Sequence, residues 1–536
     1  MLTEIRSSIF QQKAIRFHKG LNVVLGDAQG SNSIGKSTLL MITDFVFGGN
    51  TYISHNSDVV ANLGHHDFWF TFKFKEVEYH FIRGTEEPNL VYRSNKKFEK
   101  LDGMNVNQFT KELKEHYVLE SKQLNFRAVV SVFSRIWGKN NYNVKRPLHN
   151  HPSEKNIVTV TNLIKLFNQY EPIEEQDKEL KKLEDSKTVL NKAGKLELIP
   201  KITKRKYEKN IKEIEFLSTE IEKLGRSAYS PSINITDMVS DELIEYRKMK
   251  KDLLEEREYY KSRLNRLRSV RKSTDVGFES LLEFFPNVNI KKLEHIESFH
   301  EGISSILSNE VKNARKELTG KIQNIEDEIS KVNKKLEQLL NPDEKLNLFI
   351  ENLIEHSSRL KSLQLENNYY NKLDGFKLNI SAKIVELDEI KSEIVKNIEN
   401  EVNAKIKEVN DFIHEDKRTA PELELSYSTY DYKFFENTGT GKAYTNLIIF
   451  DLAIFTLTHI PFIIHDSFLF KNIEKEVIEQ IIKFYNSMSK QVFIAIDVID
   501  IYNKETQEIL NEKKAIQLSK EKLLTTLDWR NSKEKK

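Results

Sequence analysis

The sequence predicts an α/β domain assembled from the two ends of the chain, with a long antiparallel helical coiled coil inserted between them. Three observations carry this reading. Strand-like and helix-like segments occupy both termini, 1–167 and 416–536, whereas 168–415 is dominated by Lys and Glu. Apolar residues in that middle recur at alternating spacings of four and three. A glycine-rich turn near the N-terminus finds its matching carboxylate only near the C-terminus, so the middle must leave the domain and return.

In the N-terminal part, the apolar run Leu21–Leu25 ends in Gly26, as a buried strand does, and Ser37–Phe47 has helical length and spacing. Phe68–Phe74 and Tyr79–Arg83 are aromatic-rich and alternating, which predicts two strands joined by a tight turn. In the C-terminal part, Glu422–Tyr430 alternates, Asn446–Leu457 reads as an apolar helix, and Pro461–Ile464 and Val492–Ile496 read as short buried strands. The lysine-rich tail Asn531–Lys536 reads as disordered.

The middle divides into an ascending arm at 168–272, a turn-around at 273–307 and a descending arm at 308–415. Leu318, Ile322, Ile325, Ile329, Val332, Leu336 and Leu339 form an unbroken heptad seam, and Tyr207, Ile211, Ile214, Leu217, Ile221 and Leu224 answer it on the other arm. Gly277, Pro286 and paired aromatics break the pattern within Ser273–Ser308. The arms are matched in length, and each would span about 150 Å if straight. Gly225–Asp237 on one arm and Asn341-Pro342-Asp343 on the other interrupt them at one height, which predicts an elbow. A helical bundle folded back on the head is the competing reading.

Gly30, Ser31, Asn32, Ser33, Ile34, Gly35, Lys36 and Ser37 fit G-x-x-x-x-G-K-[ST] between a predicted strand and a predicted helix. In that context the glycines let backbone N–H groups converge on phosphate, and the helix adds the positive end of its dipole. Lys36 would reach the outer phosphates and the Ser37 hydroxyl would ligate Mg²⁺. Thr38, in the same first turn, belongs to the expected ATP-contacting set. A second carboxylate must help hold the metal. Asp466, ending the apolar run Phe462–His465, supplies it unless it is only a turn residue. Ser37 and Asp466 are therefore the expected metal ligands.

Ile15-Arg16-Phe17 followed by Gly20–Gly26 resembles the opening of the SMC and RecN repair ATPases, in which a coiled coil separates two lobes of an ABC-ATPase head. The resemblance covers both ends and, in architecture only, the middle. It implies ATP and Mg²⁺ as ligands, and a homodimer in which two heads sandwich two ATP molecules. It also implies a signature motif ahead of the Asp466 strand. Asn437, Thr438, Gly439, Thr440, Gly441 and Lys442 stand there, before a helix expected over Ala443–Leu457, although they depart from Leu-Ser-Gly-Gly. An ordinary glycine-rich helix start is the alternative.

Two further departures bear on catalysis. The family places Glu after the metal-binding Asp, where this chain has Ser467, and its switch histidine would fall near Asp497. The resemblance thus implies slow turnover, with Asp466, Ser467 and Asp497 as the catalytic positions and Asp497 as the stand-in that places water. The motif set looks closest to the SMC-like subunits of bacterial three-component defence systems of the Lamassu type. That branch implies anti-phage or anti-plasmid activity, an effector such as a nuclease, and a small accessory subunit. A repair or chromosome-organising ATPase and a non-hydrolysing ATP-bound scaffold are the competing functions.

Lys+Arg at 83 against Asp+Glu at 81 leaves a net charge of +2, so a nucleic-acid surface would have to be local. Lys261, Arg263, Arg266, Arg268, Arg271 and Lys272 lie in a stretch without acids, and Lys139, Lys145 and Arg146 form a second cluster. Either could bind double-stranded DNA through its phosphates, or be a solvated helix face. His65-His66-Asp67 and His149/His151 lack a metal-ligand set and read as surface residues. With no Cys, disulfides, thiolate zinc sites and a zinc hook at the turn-around are excluded. No secretory signal and no membrane-length apolar run are visible, so a soluble, cytoplasmic protein is expected.

Overall fold

The computed structural model describes residues 1–119, 124–196, 199–228, 241–268, 290–339, 344–435 and 439–528. The chain divides into two compact units, Met1–Gln176 with Glu386–Lys536, and Asp177–Val385. The first is thus built from both ends of the polypeptide.

Its strands are β1 (Leu2–Ser7), β2 (Ala14–Arg16), β3 (Leu21–Leu25), β4 (Asp67–Phe74), β5 (Val77–Gly84), β6 (Leu90–Ser94), β7 (Lys100–Asn105) and β8 (Ser134–Arg135), all from the N-terminal part. The C-terminal part adds β9 (Glu422–Leu425), β10 (Tyr430–Lys433), β11 (Phe462–His465), β12 (Gln491–Ile496) and β13 (Lys514–Gln517). One sheet, β2-β1-β4-β5-β6-β7, is antiparallel throughout. The β4–β5 turn places Lys75 and Glu76 at positive φ, the backbone that a two-residue hairpin needs to match strand twist. The other sheet, β13-β3-β12-β11-β8, is parallel throughout and interleaves strands from both chain ends. Strands buried on both faces in a parallel sheet read as continuous apolar runs, as β3 (LNVVL) and β11 (FIIH) do.

One core joins the two sheets through the helix Lys36–Val46, with Phe45, Phe47, Phe68, Phe70, Phe72, Phe462 and Phe493 within it. Phe47 stacks on Phe462 at 3.8 Å between ring centroids, which fastens the N-terminal helix to the strand that ends at Asp466. Glu422–Tyr430 folds as the start of a hairpin, β9 returning as β10, where the alternation alone suggested one strand. Within this unit the long helix Glu344–His414 ends in the buried stripe Val395, Ile398, Val402, Ile406, Val409 and Ile413. Asn403 on it exchanges both amide hydrogen bonds with the backbone of Leu423, which satisfies the outer edge of β9.

The second unit is helical. Leu318, Ile322, Ile325, Ile329, Val332 and Leu336 on the helix Ile290–Leu339 are all buried. Four of them, Ile325 to Leu336, cluster with Leu253 of the helix Asp241–Arg268. Burying such a side chain contributes roughly 1.5–3 kcal/mol, so the seam outweighs the polar exterior of these helices. Lower on the arms, Tyr207 stacks on Tyr370 and Asn210 bonds Asn367, which pairs the helix Lys204–Ala228 with Glu344–His414. Arg359 then pairs with Glu213, and Lys361, two residues on, pairs with Glu255 of the next ascending helix. Glu213 and Glu255, on two successive ascending helices, thus meet near neighbours on one descending helix.

The expected interruption at Gly225–Asp237 is helical through Ala228, while 229–237 and Asn341–Asp343 lie outside the described residues. Of the expected turn-around, 273–289 lies outside them as well, and the helix begins at Ile290, well before Ser308. The tail Asn531–Lys536 is also outside them. No helix among the described residues is long and apolar enough to cross a membrane.

Candidate nucleotide site

Three parallel strands end side by side at the site: β3 leads into the glycine-rich loop, β12 into Asp497 and β11 into Asp466. Ligands of parallel sheets sit beyond such carboxyl ends. Asp27 opens the loop by accepting from the Ser31 N–H at 2.9 Å, and these Ser31 bonds hold its carboxyl below the ordinary carboxylate range. Gly35 closes it with φ +103°, and a Cβ there would lie 2.4 Å from Leu524 Cβ. Gly35 therefore answers two demands at once, a left-handed backbone and a close packing partner. The helix starts at Lys36 with no side-chain cap, so its first N–H groups stay available to an anion.

Lys36 is folded inward, with its side chain 7% exposed. Its Nζ donates to the Ser31 carbonyl at 2.8 Å and pairs with Asp497 Oδ1 at 3.2 Å. Ser37 Oγ donates to Asp466 Oδ1 at 2.9 Å, although the two residues are 429 positions apart. Asp466 is fully buried and also accepts from the N–H groups of Ser467 and Trp137, at 2.7 and 3.2 Å. Burial pushes its carboxyl above the ordinary range, which these hydrogen bonds only partly offset. Among the described residues no cationic side chain pairs with it. A buried carboxylate beside a hydroxyl, lacking a compensating charge, fits a divalent cation well.

Ser467 begins a short 3-10 turn, Ser467–Leu469, and brings no carboxylate. Asp497 is the acidic side chain that contacts Lys36. Of the expected signature, Asn437 and Thr438 lie outside the described residues. Gly439 is the N-cap of a helix running Thr440–Leu457, so Thr440, Gly441 and Lys442 form its first turn rather than precede it. Gly439 and Thr440 are exposed, and a Cβ on Gly441 would lie 2.0 Å from the Asn472 carbonyl oxygen. That close approach requires glycine. Lys442 Nζ donates to the Phe435 carbonyl at 3.3 Å.

Behind the site lie two buried charge clusters that the sequence reading did not anticipate. Asp451, on the helix Thr440–Leu457, accepts two hydrogen bonds from Arg135 at 2.7 and 2.8 Å and contacts His465 Nε2 at 3.1 Å. Burial opposes its ionisation, yet Arg135 holds the carboxyl below the ordinary range. The cluster ties this helix to β8 and to the residue just before Asp466. The second cluster takes in one of the expected DNA-binding residues. The Lys139 side chain is 10% exposed and pairs at 3.5 Å with the buried Asp44, which also binds Arg127 at 2.7 Å. Burial lowers the Lys139 ammonium to about 8, with Asp44 partly offsetting it. Both clusters had one visible trace, a single acid inside an apolar helical run.

Of the remaining basic candidates, Lys145 is exposed, and Arg146 donates to the Tyr430 carbonyl at 2.5 Å. Lys261 pairs with Glu326 at 2.9 Å and Arg263 is exposed beside the Tyr259 ring. The side chains of Arg266 and Arg268, and all of Arg271 and Lys272, lie outside the described residues. His66 and His149 are buried rather than at the surface, each 2.8 Å from a tyrosine hydroxyl, those of Tyr52 and Tyr430.

Residues 398–528 match a family described as "Uncharacterised protein conserved in bacteria (DUF2326)". That span contains the helix start at Gly439, Asp466, Asp497 and β13. No curated protein matches by sequence. Among solved structures, the chain is similar to the Smc head domain with a coiled coil and joint from Pyrococcus yayanosii, at 13% identity and a TM-score of 0.44, over 97% of this chain and 94% of that one. It is also similar to the Smc head domain with an extended coiled coil bound to the C-terminal domain of ScpA, from Pyrococcus furiosus. There the identity is 10% and the TM-score 0.34, over 95% and 91% of the two chains.

Proposed function

We propose that this chain is an SMC-like ATPase: its head binds ATP with Mg²⁺, pairs with a second head around the nucleotide, and uses slow hydrolysis to reset. The observation that carries the reading is the contact of Ser37 with Asp466. It joins a complete phosphate-loop motif to a buried, uncompensated carboxylate from the far end of the chain. Ser37 and Asp466 would hold Mg²⁺, which would supply positive charge to offset that of the outer phosphates. The residues of this chain do the rest. Loop N–H groups and the helix start bind phosphate oxygens, and Lys36 exchanges Asp497 for the outer phosphates. Asp497, released from Lys36, would orient water in the role of the family's Glu, whose position Ser467 occupies here. The helix start at Gly439–Lys442, exposed at Gly439 and Thr440, is the surface for the partner head's nucleotide, with Asn437 and Thr438 preceding it in sequence.

The motif resemblance supports a finer assignment, a DNA-sensing subunit of a bacterial anti-phage or anti-plasmid complex of the Lamassu type. In that role the ATP-bound homodimer engages double-stranded DNA and releases a nuclease effector, with a small accessory subunit in the complex. Ser467 also favours a second reading, a scaffold that binds ATP without cleaving it. Light scattering on the purified chain with ATP, with and without DNA, combined with a pull-down from the native host, tests these assignments. An ATP-dependent dimer that co-purifies with a nuclease supports defence. A dimer without an effector supports repair, and a chain that stays monomeric with ATP overturns the head-pairing scheme.

A further inference from the structure

The phosphate loop has two ends, and only one is accounted for by Lys36, Ser37, Asp466 and Asp497. Their contacts define the end of the outer phosphates and the metal. A nucleotide held by such a loop leaves it at the opposite end, past the first turn of the helix, where ribose and base follow the inner phosphate. Beside the loop and the first turn of that helix, away from Lys36, Ser37, Asp466 and Asp497, the structure has a cavity of about 460 Å³. It is lined by Gly35 and Thr38 from the loop and helix, Asn56 and Val59 from the segment after it, and Leu527 and Asp528 from near the C-terminus. Its size falls in the range of roughly 300–1,000 Å³ typical of small-ligand sites.

The C-terminal wall is not a loose end. After β13 the chain crosses the glycine-rich loop as a strap, Ser519–Asp528. The Leu524 N–H donates to the Ile34 carbonyl at 3.2 Å, the Gln11 N–H to the Leu524 carbonyl at 3.1 Å, and the Thr526 N–H to the Ile9 carbonyl at 2.8 Å. Leu523 and Leu524 are buried in the same core as Ile34. The strap is therefore positioned by the loop itself and by the β1–β2 turn. It presents Leu527, 48% exposed, and Asp528 to the cavity. An apolar wall suits the faces of a base, and carboxylate and amide oxygens suit ribose hydroxyls.

We propose that the strap Ser519–Asp528 forms the recognition wall for the base and ribose of the bound nucleotide, with Leu527 and Asp528 as specificity-determining residues. This rests on the ATP reading above, and the test separates the two. Equilibrium titration with Mg²⁺ compares ATP with inorganic tripolyphosphate, which has the phosphates and no nucleoside. Wild type should bind ATP more tightly than tripolyphosphate. Leu527→Trp, which fills the cavity from an exposed position, should weaken ATP by about tenfold and leave tripolyphosphate unchanged, and Asp528→Ala should act in the same direction. Equal wild-type affinities for the two ligands, or equal losses on both in the variants, would overturn the strap's role while the phosphate site stands. Failure of wild type to bind either ligand would overturn both.

Discussion

Replacing Asp497 by Asn should move ATP binding and ATP cleavage in opposite directions. Lys36 Nζ lies 3.2 Å from Asp497 Oδ1, with side chains 7% and 24% exposed. Unit charges at that distance attract by about 5 kcal/mol at an effective dielectric constant of 20. Desolvation of Lys36 and the partial exposure of Asp497 reduce the net to about 1–2 kcal/mol. Binding ATP breaks this pair and brings phosphate charge beside Asp497. Asp497→Asn removes both penalties and should tighten ATP by about tenfold. The same change removes the carboxylate placed to orient water, so cleavage should slow by roughly 10²–10⁴ if that carboxylate acts as the base. The assay is ATP titration followed by single-turnover cleavage on the same preparations, with DNA present. Fast wild-type cleavage that is indifferent to Asp497→Asn, with affinity also unchanged, would refute the reasoning.

Other consequences are as direct. Ser467→Glu restores a carboxylate next to Asp466 and should raise single-turnover cleavage while shortening the lifetime of the ATP-bound dimer; an unchanged rate would place the limiting step elsewhere. Lys145→Glu should weaken DNA binding and lower the slope of log affinity against log salt by about one; unchanged affinity and slope would remove Lys145 from the DNA surface. Burial, then Arg418, lowers the His414 pKa from 6.5 to about 4. The folded state thus disfavours its protonation, so the His414 contribution is complete above pH 6.5 and is lost as pH falls toward 4. Denaturant midpoints should fall across that window by more in wild type than in His414→Gln, and parallel pH profiles would exclude this source.

The strand–loop–helix geometry around Gly30–Ser37 was legible because its pattern is local: a strand, two glycines, a lysine and a hydroxyl in one short stretch of chain. Asp466 was legible because it ends an apolar run, and the heptad seam Leu318–Leu336 because a coiled coil repeats its demand every turn. The pairing of Lys139 was not legible because its partner is Asp44, distant in sequence, and nothing in a run of basic residues shows which of them folds inward. Asp451 was hidden for a related reason. An acid inside an apolar helix signals a buried partner without saying that it is Arg135. The strap at Leu524 left no periodic trace, since its register comes from single hydrogen bonds to Ile34 and Ile9. His66 and His149 looked like surface residues because the tyrosine hydroxyls that satisfy them come from other parts of the chain. The helix start at Thr440 preceded expectation because Gly439 can act as the N-cap, leaving glycine inside the first turn, where close packing on Asn472 and not helix propensity selects it.

The central claim is that Lys36, Ser37 and Asp466 form one Mg²⁺–ATP site from opposite ends of the chain. Equilibrium ATP binding by wild type and Lys36→Ala, each with Mg²⁺ and with chelator, tests it most directly. Wild type should bind ATP with Mg²⁺ and lose affinity in chelator. Lys36→Ala should lose binding by tenfold or more, about 1.4 kcal/mol, while keeping the wild-type circular dichroism spectrum. ATP binding by Lys36→Ala at wild-type affinity, or wild-type binding that is indifferent to Mg²⁺, would contradict it.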